Sequence, residues 1–234
     1  EQLTVSSEEQ LHHVRQTLAE EFDAMNTVNN SINDNINIIF ARYTTDEWRQ
    51  YLAYKEIKKY TAGRSYIKPF IYLNKNYDIV TSSQIITEYK DGAFHMLAPD
   101  RFVFDPAPYL DSRQNQLLYR EENGQKHLIY FPVNSSYSNY ISYFLVNIWE
   151  IERLCQEVSS AEMPAIALLD SEKNIIIGAN PDLILPYLDS FQPEDGVYPI
   201  DNSTSLCVSG GLSNDFMMIS LISNQVLIQQ VNSA

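Results

Sequence analysis

The sequence predicts an α+β chain: a long N-terminal helix, then two α/β-sandwich modules in tandem, each built on an antiparallel sheet of about five strands. Three observations predict it. "IYLNKNYDIVTSS" at 71–83 returns in outline as "ALLDSEKNIIIGA" at 167–179, 96 residues on. In both, an apolar run meets a polar tetrad and then a β-branched run, the pattern of a hairpin built twice. Leu11, Val14, Leu18, Phe22, Met25, Val28, Ile32, Ile36 and Ile39 recur at intervals of three or four, a helical stripe. Finally, "FLVNIWEI" and "LISNQVLI" share a change from strand period to helix period, so each module ends on a strand that leaves into a helix.

The entry helix spans 6–43, opening on a capping box of Ser6 and Glu9, and reaches roughly 55 Å at 1.5 Å per residue. A second helix covers 46–60, with Thr44 and Glu47 as its capping box, Trp48, Tyr51 and Leu52 as its apolar stripe, and Gly63 just past its end. Strands follow at 66–73 and 77–83. The connection "QIITEYKDGAFHMLAPDRFVFDPAPYLDSRQ" has no clean period and is rich in Pro, Asp and aromatics; long irregular connections are common carriers of function. "NQLLYREENGQKHLIYFPVN" gives two strands turning at "ENGQ", "NYISYFLVNI" a fifth, and "WEIERLCQEV" a short helix. The second module is a compressed copy: the hairpin of "PAIALLDSEKNIIIGAN", a brief "PDLILPYLDSFQ" segment, strands "SLCVSGGLS" and "DFMMISLIS", and an exit helix "NQVLIQQV". The boundaries are 1–44 for the entry helix, 45–160 for the first module and 161–234 for the second with its exit helix.

With 234 residues and 44% hydrophobic content, the chain can bury one large core or two modest ones of roughly 100 residues each. A formal net charge of −14 repels phosphate backbones, which excludes nucleic acid as a partner of this domain. Cys155 and Cys207 are too few for a disulfide framework and lack metal spacing, so both are expected buried and reduced. No apolar run reaches the 18 or more residues of a membrane span. The start at Glu1 and the end inside an apolar-periodic segment have the look of a piece of something longer.

Catalytic constellations fail one by one. "SYIK" at 65–68 enters a strand, whereas the Ser-x-x-Lys of acyl enzymes opens a helix and has partner motifs that are missing here. His12 and His13 are adjacent on a helix and point about 100° apart, so they cannot share a metal as an i, i+4 pair does. Glu121-Glu122 and Glu194-Asp195 read as solvated turn residues, and "SGG" at 209–211 as a bulge or hairpin turn, without the helix start and lysine of a phosphate loop. No catalytic residue, metal site or cofactor is expected.

The long entry helix, the paired hairpins, "LIYFPVN" followed by "YISYFLVNIWEI", and the terminal strand running into a helix together resemble the double Cache, or tandem PAS-like, extracytoplasmic sensor region of bacterial membrane-anchored AraC-type regulators and histidine kinases. The resemblance implies an extracellular domain on the bacterial cell membrane, with membrane spans on either side and a cytoplasmic output, whose membrane-distal first module binds an unknown small molecule. It places the ligand between the concave face of the sheet and the long connection, so Tyr72, Arg101, Tyr109, Asp111, Arg113, Tyr130 and Tyr143 become the candidate ligand-binding residues. "DRFVFDPAPYLD" does not keep the Arg-Trp-Tyr and later Asp of the family's amine and amino-acid binders, which speaks against an amino-acid ligand. A homodimer through the N-terminal helix is a further expectation. The rival reading is an extracellular adaptor module that engages a protein partner without signalling.

Overall fold

The computed structural model describes residues 2–41, 46–74, 80–82, 87–90, 93–96, 103–104, 114–122, 124–133, 140–192, 194–213 and 216–223. Helix α1 (Gln2–Asp34) buries the predicted stripe, with Leu11, Val14, Leu18, Phe22, Met25, Val28 and Ile32 all inward. It begins before Ser6, which therefore lies inside the helix and is not its cap. The single helix expected over 6–43 divides at Asn35, whose side-chain oxygen accepts from the backbone N–H of Asn37 (3.0 Å) and Ile38 (3.4 Å) and starts α2 (Ile36–Ala41). Asparagine competes for its own backbone, so it caps more readily than it continues a helix. The break resets the helical phase: Ile38 and Ala41 turn inward, and Ile36 is left exposed.

Helix α3 (Glu47–Thr61) is capped by Asp46, which accepts from the Arg49 N–H at 2.9 Å, and is followed by Gly63 at φ 76°. Its inward face is Ala53 and Ile57, both fully buried; Trp48 and Tyr51, expected to pack inward, are exposed.

The first sheet has β1 (Ile67–Asn74), β2 (Val80–Ser82), β6 (Gln116–Glu122), β7 (Gln125–Phe131) and β8 (Tyr140–Val146), all antiparallel, in spatial order β2-β1-β8-β7-β6. Between β2 and β6 the connection carries a small sheet of its own, β3 (Thr87–Lys90), β4 (Ala93–Met96) and β5 (Val103–Phe104). Strands of two to four residues are too short to print a period, which is why the sequence did not announce them. Helix α4 (Ile148–Val158) leaves β8 as predicted. The second sheet has β9 (Ala165–Asp170), β10 (Ile175–Ala179), β11 (Gly196–Pro199), β12 (Thr204–Ser213) and β13 (Phe216–Ser223), in order β10-β9-β13-β12-β11. Numbered within its own sheet, each reads 2-1-5-4-3, so the chain holds two tandem PAS-like modules behind a long N-terminal helix. β11 was not predicted. The expected exit helix at 224–231 lies outside the described residues.

The repeat persists in the pairing. Ile71 faces Ser82 and Tyr72 faces Thr81 across the first hairpin; 96 residues on, Ala167 faces Gly178 and Leu168 faces Ile177. The "SGG" run, expected as a bulge or a hairpin turn, falls in a register shift of β12 between Ser209 and Ser213. Compact packing divides the chain into two units, one of residues 22–147 and one of residues 1–21 with 148–234, and α1 contributes to both.

Candidate ligand site

In the 22–147 unit, alternation along β7 and β8 separates two faces of the sheet. Toward α1 lie Tyr130, Ser142 and Phe144. The Tyr130 ring stacks on Phe22 at 4.9 Å and 20°, and its hydroxyl donates to Asn26 Oδ1 at 2.9 Å. Ser142, fully buried, donates its hydroxyl to Oδ1 of Asn29, itself 1% exposed. These polar pairs sit on the apolar stripe of α1, and they were missed from the sequence. Asn26 and Asn29, three residues apart between Met25, Val28 and Ile32, were the signal that could have found them.

On the opposite face stand Tyr143 and Phe131, with ring centroids 5.5 Å apart and both rings buried. Burial pushes the Tyr143 phenol well above its ordinary range, so it stays neutral and able to donate. Tyr130, on the other face, is pushed up to about 12, chiefly by burial, with the Asp23 charge adding and the Asn26 hydrogen bond opposing. The structure therefore does not bring Tyr130 and Tyr143 together. Tyr72 is the β1 residue paired with Thr81 and Ser142. Arg101, Tyr109, Asp111 and Arg113 lie outside the described residues.

The equivalent face of the second sheet is filled. Tyr143 pairs with Ile71, and the corresponding pair is Ile219 with Ala167. Around Ile219, Leu169, Leu206, Val208 and Leu221 form one apolar cluster with Ile184 and Phe191, which come from the short connection after β10. Lys173, held at φ 64° in the β9–β10 turn, pins that connection: its ammonium donates to the carbonyls of Leu188 (3.1 Å) and Phe191 (2.9 Å) and lies 4.5 Å over the Phe191 ring. This segment, 180–195, is about half as long as the one between β2 and β6, 83–115.

The chemistry open to other groups is limited. Cys155 and Cys207 are buried free thiols, both pushed up to about 12 by burial first and then by Glu152 or by Glu8 and Asp195, so neither supplies a thiolate nucleophile at neutral pH. Among the described residues no group of three His, Cys, Asp or Glu is placed to hold a metal ion, and no helix is long and apolar enough to cross a membrane. His12 and His13 are exposed.

No protein-family profile matches the sequence, and no curated protein matches it. Solved structures do resemble it. The extracellular domain of a protein described as a histidine kinase, vpHK1S-Z8, is 12% identical with a TM-score of 0.61, covering 98% of this chain and 94% of that one. The ligand-binding domain of Mlp24 with asparagine is 10% identical with a TM-score of 0.60, covering 98% and 95%. The ligand-binding domain of the Campylobacter jejuni chemoreceptor Tlp3 in complex with 4-methylisoleucine is 12% identical with a TM-score of 0.56, covering 97% and 94%. At these identities the likeness is one of fold, and it runs the length of both modules.

Proposed function

We propose that the chain is the extracellular ligand-sensing region of a bacterial transmembrane signalling protein of the double Cache type, a binding module and not an enzyme. Its membrane-distal module, 45–160, takes a small molecule; the module at 161–234 relays occupancy, with the entry helix 1–44, through flanking membrane spans to an AraC-type or histidine-kinase output. One observation supports this division of labour: two topologically equivalent sheet faces differ in the side chains they carry and in the length of the connection that follows the hairpin. In the second unit, Ile184 and Phe191 fill the space and Lys173 pins the segment that brings them. In the first, Tyr143 and Phe131 hold the equivalent place, in a unit whose connection between β2 and β6 is about twice as long. An aromatic wall with a polar handle is the kind of surface that a small-molecule site uses.

On this reading Tyr143, with Arg101, Tyr109, Asp111 and Arg113 of the connection, forms the site. Tyr72 pairs in register with Ser142 and not with Tyr143, so it is left out of the site, and Tyr130 couples the sheet to α1. The asparagine and 4-methylisoleucine bound by Mlp24 and Tlp3 make amino acids the first compounds to screen. A thermal-shift panel of amino acids, amines, carboxylates, sugars and short peptides tests the proposal. A hit whose shift is lost in Arg101→Ala and Tyr143→Ala supports it; a hit unaffected by both but lost on changes within 181–191 places the site in the other module.

A further inference from the structure

The face of α3 turned to solvent is not needed by the fold. Trp48, Tyr51, Lys55 and Lys58 follow one another at helical spacing along the exposed side, opposite Ala53 and Ile57, with Trp48 64% and Tyr51 47% exposed. The Trp48 and Tyr51 rings lie 5.7 Å apart, and the Lys55 ammonium sits 5.5 Å over Tyr51. Lys58 lies 5.9 Å over Tyr54. α2 extends the surface, because the Arg49 guanidinium is 5.5 Å over the Phe40 ring and Phe40 is 51% exposed.

The sign of the charge here is opposite to that of the chain. Arg49, Lys55, Lys58 and Lys59 are four of its 16 Lys and Arg residues, gathered in a 15-residue helix of a protein with net charge −14. Glu56, one of two acidic residues in that helix, is already engaged by Lys59 and Asn35. Exposed Trp, Tyr and Arg are the side chains that most often dominate protein–protein binding energy.

We infer that this α2–α3 surface docks an acidic protein partner, its carboxylates meeting Arg49, Lys55 and Lys58 and its apolar side chains meeting Trp48, Tyr51 and Phe40. A second copy set face to face would bring identical cationic patches together and be repelled. A lipid surface would draw the ammonium groups outward to the headgroups, whereas here Lys55 and Lys58 lie back over Tyr51 and Tyr54.

A fluorescein-labelled random Glu/Tyr copolymer serves as the probe, read by the anisotropy of the label, so that variants without Trp48 report equally well. The second arm is phosphatidylglycerol–phosphatidylcholine vesicles, and the third is sedimentation of the protein alone. The expected result is copolymer binding that weakens with salt, falls at least tenfold in W48A/Y51A and in K55E/K58E, and persists in K126E, with thermal unfolding of all variants unchanged. Three outcomes overturn the inference: copolymer binding that K55E/K58E retains or that does not occur, vesicle binding in place of copolymer binding, or self-association that W48A/Y51A abolishes.

Discussion

Asn29 and Ser142 are buried polar groups that satisfy each other where α1 meets the first sheet. Removing one partner leaves the other desolvated without compensation, which costs about 1–3 kcal/mol, whereas removing both removes the penalty as well. Asn29→Leu and Ser142→Ala are therefore each expected to lower stability in urea unfolding, and the double variant by clearly less than their sum. Tyr130 adds a pH dependence on the same interface. Its folded pKa is raised from the ordinary value near 10 to about 12, so the unfolded chain loses the proton first. The stability tied to the neutral phenol is fully present below pH 10 and is lost as pH rises through 12, up to about 3 kcal/mol. Cys155 and Cys207, raised from about 9 to about 12, act in the same direction from pH 9 upward. The melting temperature should thus fall steeply between pH 9 and 12, and more gently in Tyr130→Phe, although that variant starts lower for want of the Asn26 hydrogen bond.

Two glycines separate steric from conformational requirements at the level of the hairpin. A Cβ on Gly178 would lie 2.0 Å from the carbonyl oxygen of Ile166 and 2.8 Å from the Cα of Ala167, both backbone atoms of β9 that cannot step aside. Gly124, in the β6–β7 turn at φ 75°, meets nothing within 4 Å and is held only by its backbone conformation. Gly178→Ala should cost roughly 3 kcal/mol or more through forced separation of β9 and β10, and Gly124→Ala only about 1 kcal/mol. Urea unfolding of the two variants side by side checks the ranking; equal losses would mean that β10 does not hold its register so close to β9.

The proposed sensing role makes its demands on the molecule as a whole. A ligand present at about 100 times its Kd, binding only the folded state, adds roughly 2.7 kcal/mol to the unit that holds it. Calorimetry should therefore show the stabilisation in the transition that Asn29→Leu lowers, since Asn29 lies in the 22–147 unit. Output also requires a ligand that prefers one arrangement of α1, because equal affinity for two arrangements shifts nothing. Leu11 and Leu18 are buried within the chain, so the apolar stripe of α1 is not available to a second copy. A homodimer through this helix would use its outward residues. Cysteines at His12 and Ala19, both exposed, are expected to cross-link in the membrane-anchored protein that the proposal implies, with a yield that changes on ligand addition. Equal yield at both positions with and without ligand would leave the relay unsupported.

Local chemistry made the architecture legible in the sequence. A helix stripe and a strand alternation each need only the residues of their own segment, and the hairpin repeat kept its 96-residue offset down to the pairs Ile71–Ser82 and Ala167–Gly178. The same periodicity shows that an element has a buried face without showing which face, and that depends on what packs against it. Hence α3 turned Ala53 and Ile57 inward, where the larger apolar residues Trp48 and Tyr51 had been expected. Tyr130 and Tyr143 read alike as strand tyrosines, and only the docking of α1 on one side of the sheet set them on opposite faces. The sequence by itself determined two antiparallel modules behind a long helix, because periods of 2 and 3.6 are written residue by residue. The filling of one module's face by Ile184 and Phe191, and the aromatic pair left on the other, were decided by tertiary structure, since both depend on distant segments meeting across a sheet.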